Sequence, residues 1–265
     1  LPGDLPDVFR GSRRGGAGRF RHDREADVTL SGRVAGKRKA FRVEYDPDDA
    51  GRHPFIPTLW ASRRIGALLD EIRLNGENDE LVQEIVRLSK RYGIITEYTS
   101  FLVEEPSLAL RGDDEELKPM LAANLNEARE EETGRWAVDQ AATNKSLQQA
   151  AGGVQRSARK YRARDGVERE ISNVRNHLDR AFFQEKDSWK DSRFSEKEMK
   201  VVKVKPYSNA QFELISRNAR LGELFAQAEN VLVAVADDLA VEITKEGEEE
   251  LPEEMLEKIA SGNLL

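Results

Sequence analysis

Cysteine is absent from all 265 residues. That excludes disulfides, thiolate metal sites and cysteine nucleophiles together, while leaving the compartment open. Histidine is scarce: the three, His22, His53 and His177, lie far apart, with no H-x-x-x-H or H-E-x-x-H spacing to bring two ring nitrogens onto one metal. Without a positioned base a serine nucleophile has nothing to activate it, and neither "YTS" nor "SNA" is a G-x-S-x-G elbow. No long hydrophobic run exists either. The longest wholly apolar stretch is "VLVAVA" at 231–236, well short of the roughly 20 residues that span a bilayer. A surplus of positive charge is also lacking. The net charge is −7 and the pI about 5.3, whereas neutralising phosphates needs Lys and Arg in excess on one face, so a nucleic-acid partner is not expected.

The chain has 34% charged, 38% hydrophobic and only 7% aromatic residues. This composition builds cores of modest thickness and leaves some helix or linker exposed, and the length suits two units better than one. Short motifs add little. "RGSRRGGAGRFRH" at 10–22 reads as a charged, Gly-rich loop, with polyanion contact as its sharper alternative. "GRVAGKR" at 32–38 is one residue too short for a phosphate-binding loop. "DPDD" at 46–49 lacks the ligand ladder and distal Glu of a calcium loop, and "RGD" at 111–113 is a three-residue match in a charge-rich chain. No catalytic, cofactor-binding or metal-ligating residue is nominated, and an enzyme is not expected.

What is present is pattern. Val28 and Leu30, then Phe41, Val43 and Tyr45, alternate with polar neighbours around a loop holding Gly32 and Gly36, which predicts a β-hairpin, preceded by a short strand at 19–21. One apolar face on so few strands needs a covering layer. Pro57 opens a helix whose apolar residues Leu59, Ile65, Leu68, Leu69 and Ile72 recur at helical spacing until "NG" at 75–76. Asn78 caps a second helix with the stripe Leu81, Val82, Ile85, Leu88 and Tyr92, ended by Gly93. "IITEYTSFLVEE" at 94–105 reads as a buried closing strand. Residues 111–153 read as a long, partly exposed helix with a thin stripe of Leu117, Leu121, Leu125 and Ala128, open to a break at Gly134.

Polar, basic 154–170 reads as a linker. Residues 171–245 read as a small α+β unit: a segment around Phe182 that suits helix or hairpin equally, a strand "MKVVKVKPY", two short helices, and a hairpin turning at Asp237 and Asp238. The acidic tail 246–265 reads as solvated helix or disorder. The fold class is α+β: an antiparallel β-hairpin or sandwich portion with a helix pair in 1–110, then the long helix, the linker, the small unit and the tail.

The stretch "FIPTLWASRRIGALLDEIRLNGENDELVQEIVRLSKRYGIITEYTSFLV" at 55–103 resembles the segment that follows the von Willebrand type A domain in bacterial relatives of the inter-alpha-trypsin inhibitor heavy chains, which carry a VIT domain and a type A domain. "LPDVFRGS" at 5–12 resembles the exit from the type A domain, "LSGRVAGKRKAF" the next hairpin, and "TGRWAVDQAATNKSLQQAA" at 133–151 a following helix. The likeness runs on through "RAFFQEKDSWKDSRF" and "KVVKVKPYSNAQFELISRNARLGELFAQAENVLVAVADDLAVEI", and it tips the ambiguous segment toward strands around Phe182 and Trp189.

"RRGGAG" departs from the apolar strand usual in relatives. "DVTLS" at 27–31 matches the D-x-[ST]-x-S of a type A metal site in letters alone, since Val28 and Leu30 are themselves the apolar face of its strand. The resemblance implies an excerpt, a reading that agrees with a start at "LPGDLPDVFR" rather than methionine. It implies a non-enzymatic, extracytoplasmic adhesion or protein-interaction scaffold with a protein partner. Its divalent cation would belong to a type A domain outside these residues, so no cofactor is assigned to this chain. The alternatives are an intracellular helical module that self-associates through 113–150, and a hydrolase.

Overall fold

Among the described residues apolar side chains are sealed in a helical cluster, in a sheet covered by helices and in a small group of Phe194, Leu232 and Ala240, while those of a hairpin stand in solvent. The computed structural model describes residues 25–46, 55–76, 78–96, 98–110, 114–130, 135–148, 160–162, 167–177 and 179–262. The strand expected at 19–21, the basic cluster at 10–22, His22, His53, residues 47–49 of "DPDD" and the tripeptide at 111–113 lie outside them.

Strands β1 (Ala26–Val34) and β2 (Lys37–Tyr45) pair antiparallel. Ala35 and Gly36 form the two-residue turn with φ of 50° and 79°. Positive φ at both positions matches the right-handed twist of the strands, and Gly36 adopts it without a Cβ penalty. The register sets Val28 opposite Val43 and Leu30 opposite Phe41. Every residue from 27 to 44 is exposed.

Helices α1 (Ile56–Asn75) and α2 (Asp79–Tyr92) follow as the spacing predicts. The Asn78 side chain accepts from the Leu81 amide and Gly93 takes the left-handed position at the end of α2. Ala61, Ile65, Leu68, Leu69 and Ile72 of α1 are buried with Val82, Ile85, Val86 and Leu88 of α2. Arg64 bridges the two helices with a bidentate bond to Glu84 at 2.7 and 3.0 Å.

Residues 94–105 are not the closing strand that their composition suggests. The Thr96 amide donates to Thr99 Oγ1 at 2.9 Å, and the loop leads into α3 (Phe101–Glu104) and α4 (Pro106–Leu110). A threonine that satisfies local backbone groups offers the chain an alternative to a ladder. The long helix at 111–153 is described as two, α5 (Asp114–Glu130) and α6 (Arg135–Gln148). They lie on different partners, α5 on α2 and α6 on α1. Leu117, Leu121 and Leu125, the stripe expected of a partly exposed helix, are buried, while Pro119, Ala123 and Asn126 are exposed.

Within the expected linker, β3 (Lys160–Arg162) and β4 (Glu168–Glu170) pair antiparallel. The ambiguous segment resolves as strands: β5 (Val174–His177), β6 (Arg180–Glu185) and β7 (Ser188–Asp191). Strand β8 (Lys200–Val204), helices α7 (Asn209–Arg217) and α8 (Ala219–Phe225), and strands β9 (Val231–Ala236) and β10 (Leu239–Ile243) complete a six-stranded mixed sheet of order β5-β6-β7-β9-β10-β8. The β7–β9 and β8–β10 pairs are parallel. The acidic tail contains α9 (Glu253–Ala260), which buries Leu256 and Ile259 against the sheet's helix layer and is therefore not a solvated helix.

Alternation along β6 joins the two cores. Phe182 packs with Val231, Val233, Val241 and the α7–α9 layer, whereas Ala181 and Phe183 point the other way into the helical cluster. Such two-sided burial is what a period of two yields when both faces are covered. Gly93 permits the approach: a Cβ there would stand 2.5 Å from Asn176 Oδ1 and 2.9 Å from Ala181 Cβ, at a φ of +59° that already favours glycine. The fold is mixed α+β, as expected from the sequence.

Candidate functional site

Two surfaces stand out. The first is the apolar face of the hairpin. Val28, Leu30, Phe41 and Val43 are 53–65% exposed, which is unusual for paired, alternating β residues. On the opposite face Asp27, Thr29 and Ser31 share a side, and Arg42, opposite Thr29, comes within 3.9 Å of Asp27. Arg42 thus faces the one carboxylate of "DVTLS". "GRVAGKR" folds as the hairpin turn instead of curling around a phosphate.

The second surface is a cleft of about 350 Å³ where the C-terminal part of α2 meets the sheet and the loop after β7. Its floor is built on an ion-pair network. Arg180 starts β6 and Asp191 ends β7, and both side chains are almost wholly buried, at 1% and 0% exposure. Arg180 Nη1 donates to Asp191 Oδ2 at 2.5 Å and to the Ala234 carbonyl at 2.7 Å. Asp191 also accepts from the amides of Arg193 and Ala234. One carboxylate therefore fastens β6, β7 and β9 together. Burial pulls the Arg180 guanidinium below its ordinary pKa range, opposed by the Asp191 charge.

A second group lies beside it. Asp179 accepts from Arg193 Nη2 and, at 3.0 Å, from Arg220 Nη2. Burial alone would raise the Asp179 carboxyl, but Arg193, Arg180 and Arg220 together hold it below the usual carboxylate range. Ser192 Oγ donates to the Arg91 carbonyl at 3.0 Å and Asn173 Nδ2 to the Val103 carbonyl at 2.6 Å, so the helical cluster is bonded to the sheet on both sides of this network.

No family model matches this chain, and neither a curated protein nor a solved structure does. The site's chemistry is thus read from its own residues. His177, the one histidine among the described residues, sits on β5 with Nε2 3.7 Å from Glu223 Oε2, away from any second imidazole. Among the described residues no group of three His, Asp or Glu side chains is placed to hold a metal ion, and no helix is long and apolar enough to cross a membrane.

The buried Arg and Asp network escaped the motif search because its members sit in "LDRAFF" and "KDSRF", with no spacing that marks chemistry. A signal was present all the same. Once 180–185 and 188–191 pair about Lys186 and Asp187, Asp191 falls opposite Phe182, two residues from Arg180.

Proposed function

We propose that the chain is a non-enzymatic host and support element of a protein-interaction protein, of the VIT and type A kind that residues 55–103 resemble, acting outside the cytoplasm. In that reading the divalent ion and primary ligand site belong to a type A domain outside these residues. The observation that carries the proposal is the bare hairpin face. A two-stranded hairpin is marginal alone, and four large apolar residues on one side of it are the pattern of strands that meet another layer.

The self-association alternative is disfavoured by one observation. Leu117, Leu121 and Leu125, the stripe it needs, are already buried inside the chain, at 0%, 0% and 4% exposure.

Paired charge substitutions test the proposal. In the 265-residue chain, Leu30→Lys with Phe41→Lys changes unfolding stability by less than about 0.5 kcal/mol, as for exposed sites. In the natural polypeptide that carries this sequence the same pair costs at least about 2 kcal/mol, because lysines then enter a covered face. Urea denaturation measures both. A loss of that size in the 265-residue chain itself would mean that its own side chains cover the hairpin, and the proposal would fall.

A further inference from the structure

The cleft above the Arg180–Asp191 pair is lined by five cationic side chains, Arg87, Lys90, Arg91, Arg180 and Arg193, against two carboxylates, Glu198 and Asp237. Part of this has a plain explanation. Lys90 and Arg91 lie in the last turn of α2, where cations complement the helix dipole. That does not account for Arg87, one turn earlier. Arg87 and Arg91 stand four residues apart, both are exposed, and neither forms a salt bridge among the described residues. Like charges at that spacing repel by a few tenths of a kcal/mol, and the Tyr92 ring, 5.7 Å from the Arg91 guanidinium, offsets this.

A second observation concerns Arg193. One of its nitrogens reaches Asp179, yet its Nε is buried with no acceptor. Around it, the guanidiniums of Arg180, Arg193 and Arg220 pair with the carboxylates of Asp179 and Asp191. Planar guanidiniums converging on a concavity suit forked oxyanions, and the cleft volume falls within the usual range of small-ligand sites, roughly 300–1,000 Å³.

We propose that this cleft binds a small oxyanionic ligand, carboxylate or sulfate-like, held between the arginines of α2 and Arg193. The proposal is independent of what covers the hairpin.

Calorimetric titration of the 265-residue chain with citrate, and separately with inorganic sulfate, at ionic strength held constant with sodium chloride, tests it. Saturable one-site binding of either probe is expected, and which probe saturates separates a carboxylate from a sulfate-like ligand. Arg87→Ala with Arg91→Ala should weaken binding about tenfold or more, as loss of charge-assisted bonds does. Arg33→Ala with Arg38→Ala removes the same charge from the hairpin and should leave the affinity unchanged. Absence of saturable heat with both probes overturns the proposal. So does equal weakening by the two pairs, which would reduce the effect to net charge.

Discussion

Asp191→Ala will lower the unfolding free energy of this chain by about 3–5 kcal/mol, the cost of stranding a buried charge. The Arg180 guanidinium, 1% exposed, would keep its positive charge in a place that water does not reach, and the amides of Arg193 and Ala234 would lose their acceptor. The size of the effect comes from the arginine left behind rather than from any large net worth of the pair. Hence Arg180→Met combined with Asp191→Leu should cost clearly less than Asp191→Ala alone, since apolar replacement of both partners strands no buried charge, although the Arg193 and Ala234 amides lose the same acceptor in either case. Urea unfolding of the three proteins decides it. A single-variant loss under about 1 kcal/mol, or a double variant worse than the single, would show that the network is not the clamp of β6, β7 and β9 described above.

Phe183→Ala should cost a similar amount, about 3–5 kcal/mol, through lost apolar contact and the cavity left behind. Phe183 is fully buried, and its position makes the variant informative beyond magnitude. It projects from a strand of the sheet into the helical cluster, next to Phe182, which projects into the other core. If β6 couples the two cores, Phe183→Ala shifts a single unfolding transition, with helix content by circular dichroism and, in a Trp60→Phe, Trp136→Phe background, the fluorescence of buried Trp189 changing together. Two separated transitions, with the substitution moving the helical one alone, would mean that the sheet folds without the helices.

How far the sequence spoke depends on where each element hides its residues. The hairpin, α1 and α2 were legible because each shows one clean face and conventional ends: Gly36 in the turn, Asn78 at the cap, Gly93 at the stop. Residues 94–105 misled because Ile94, Ile95, Phe101 and Val103 suit a strand, whereas the local bonds of Thr96 and Thr99 carry no periodic mark. The tail misled for the opposite reason: its glutamates outnumber the two residues, Leu256 and Ile259, that seat α9. Strand β6 was ambiguous because burial on both faces erases the alternation that identifies a half-covered strand. The ion-pair network was invisible for a related reason, since its partners meet only after β6, β7 and β9 are placed side by side.

The proposed function requires the hairpin to be bare in this chain and covered in the longer polypeptide it postulates, and amide hydrogen exchange reads both. The amides of 28–30 and 41–43 should exchange at least about a hundredfold more slowly in the natural polypeptide than in the 265-residue chain, as local opening gives way to global protection. Equal exchange rates at those amides in the two proteins would contradict it.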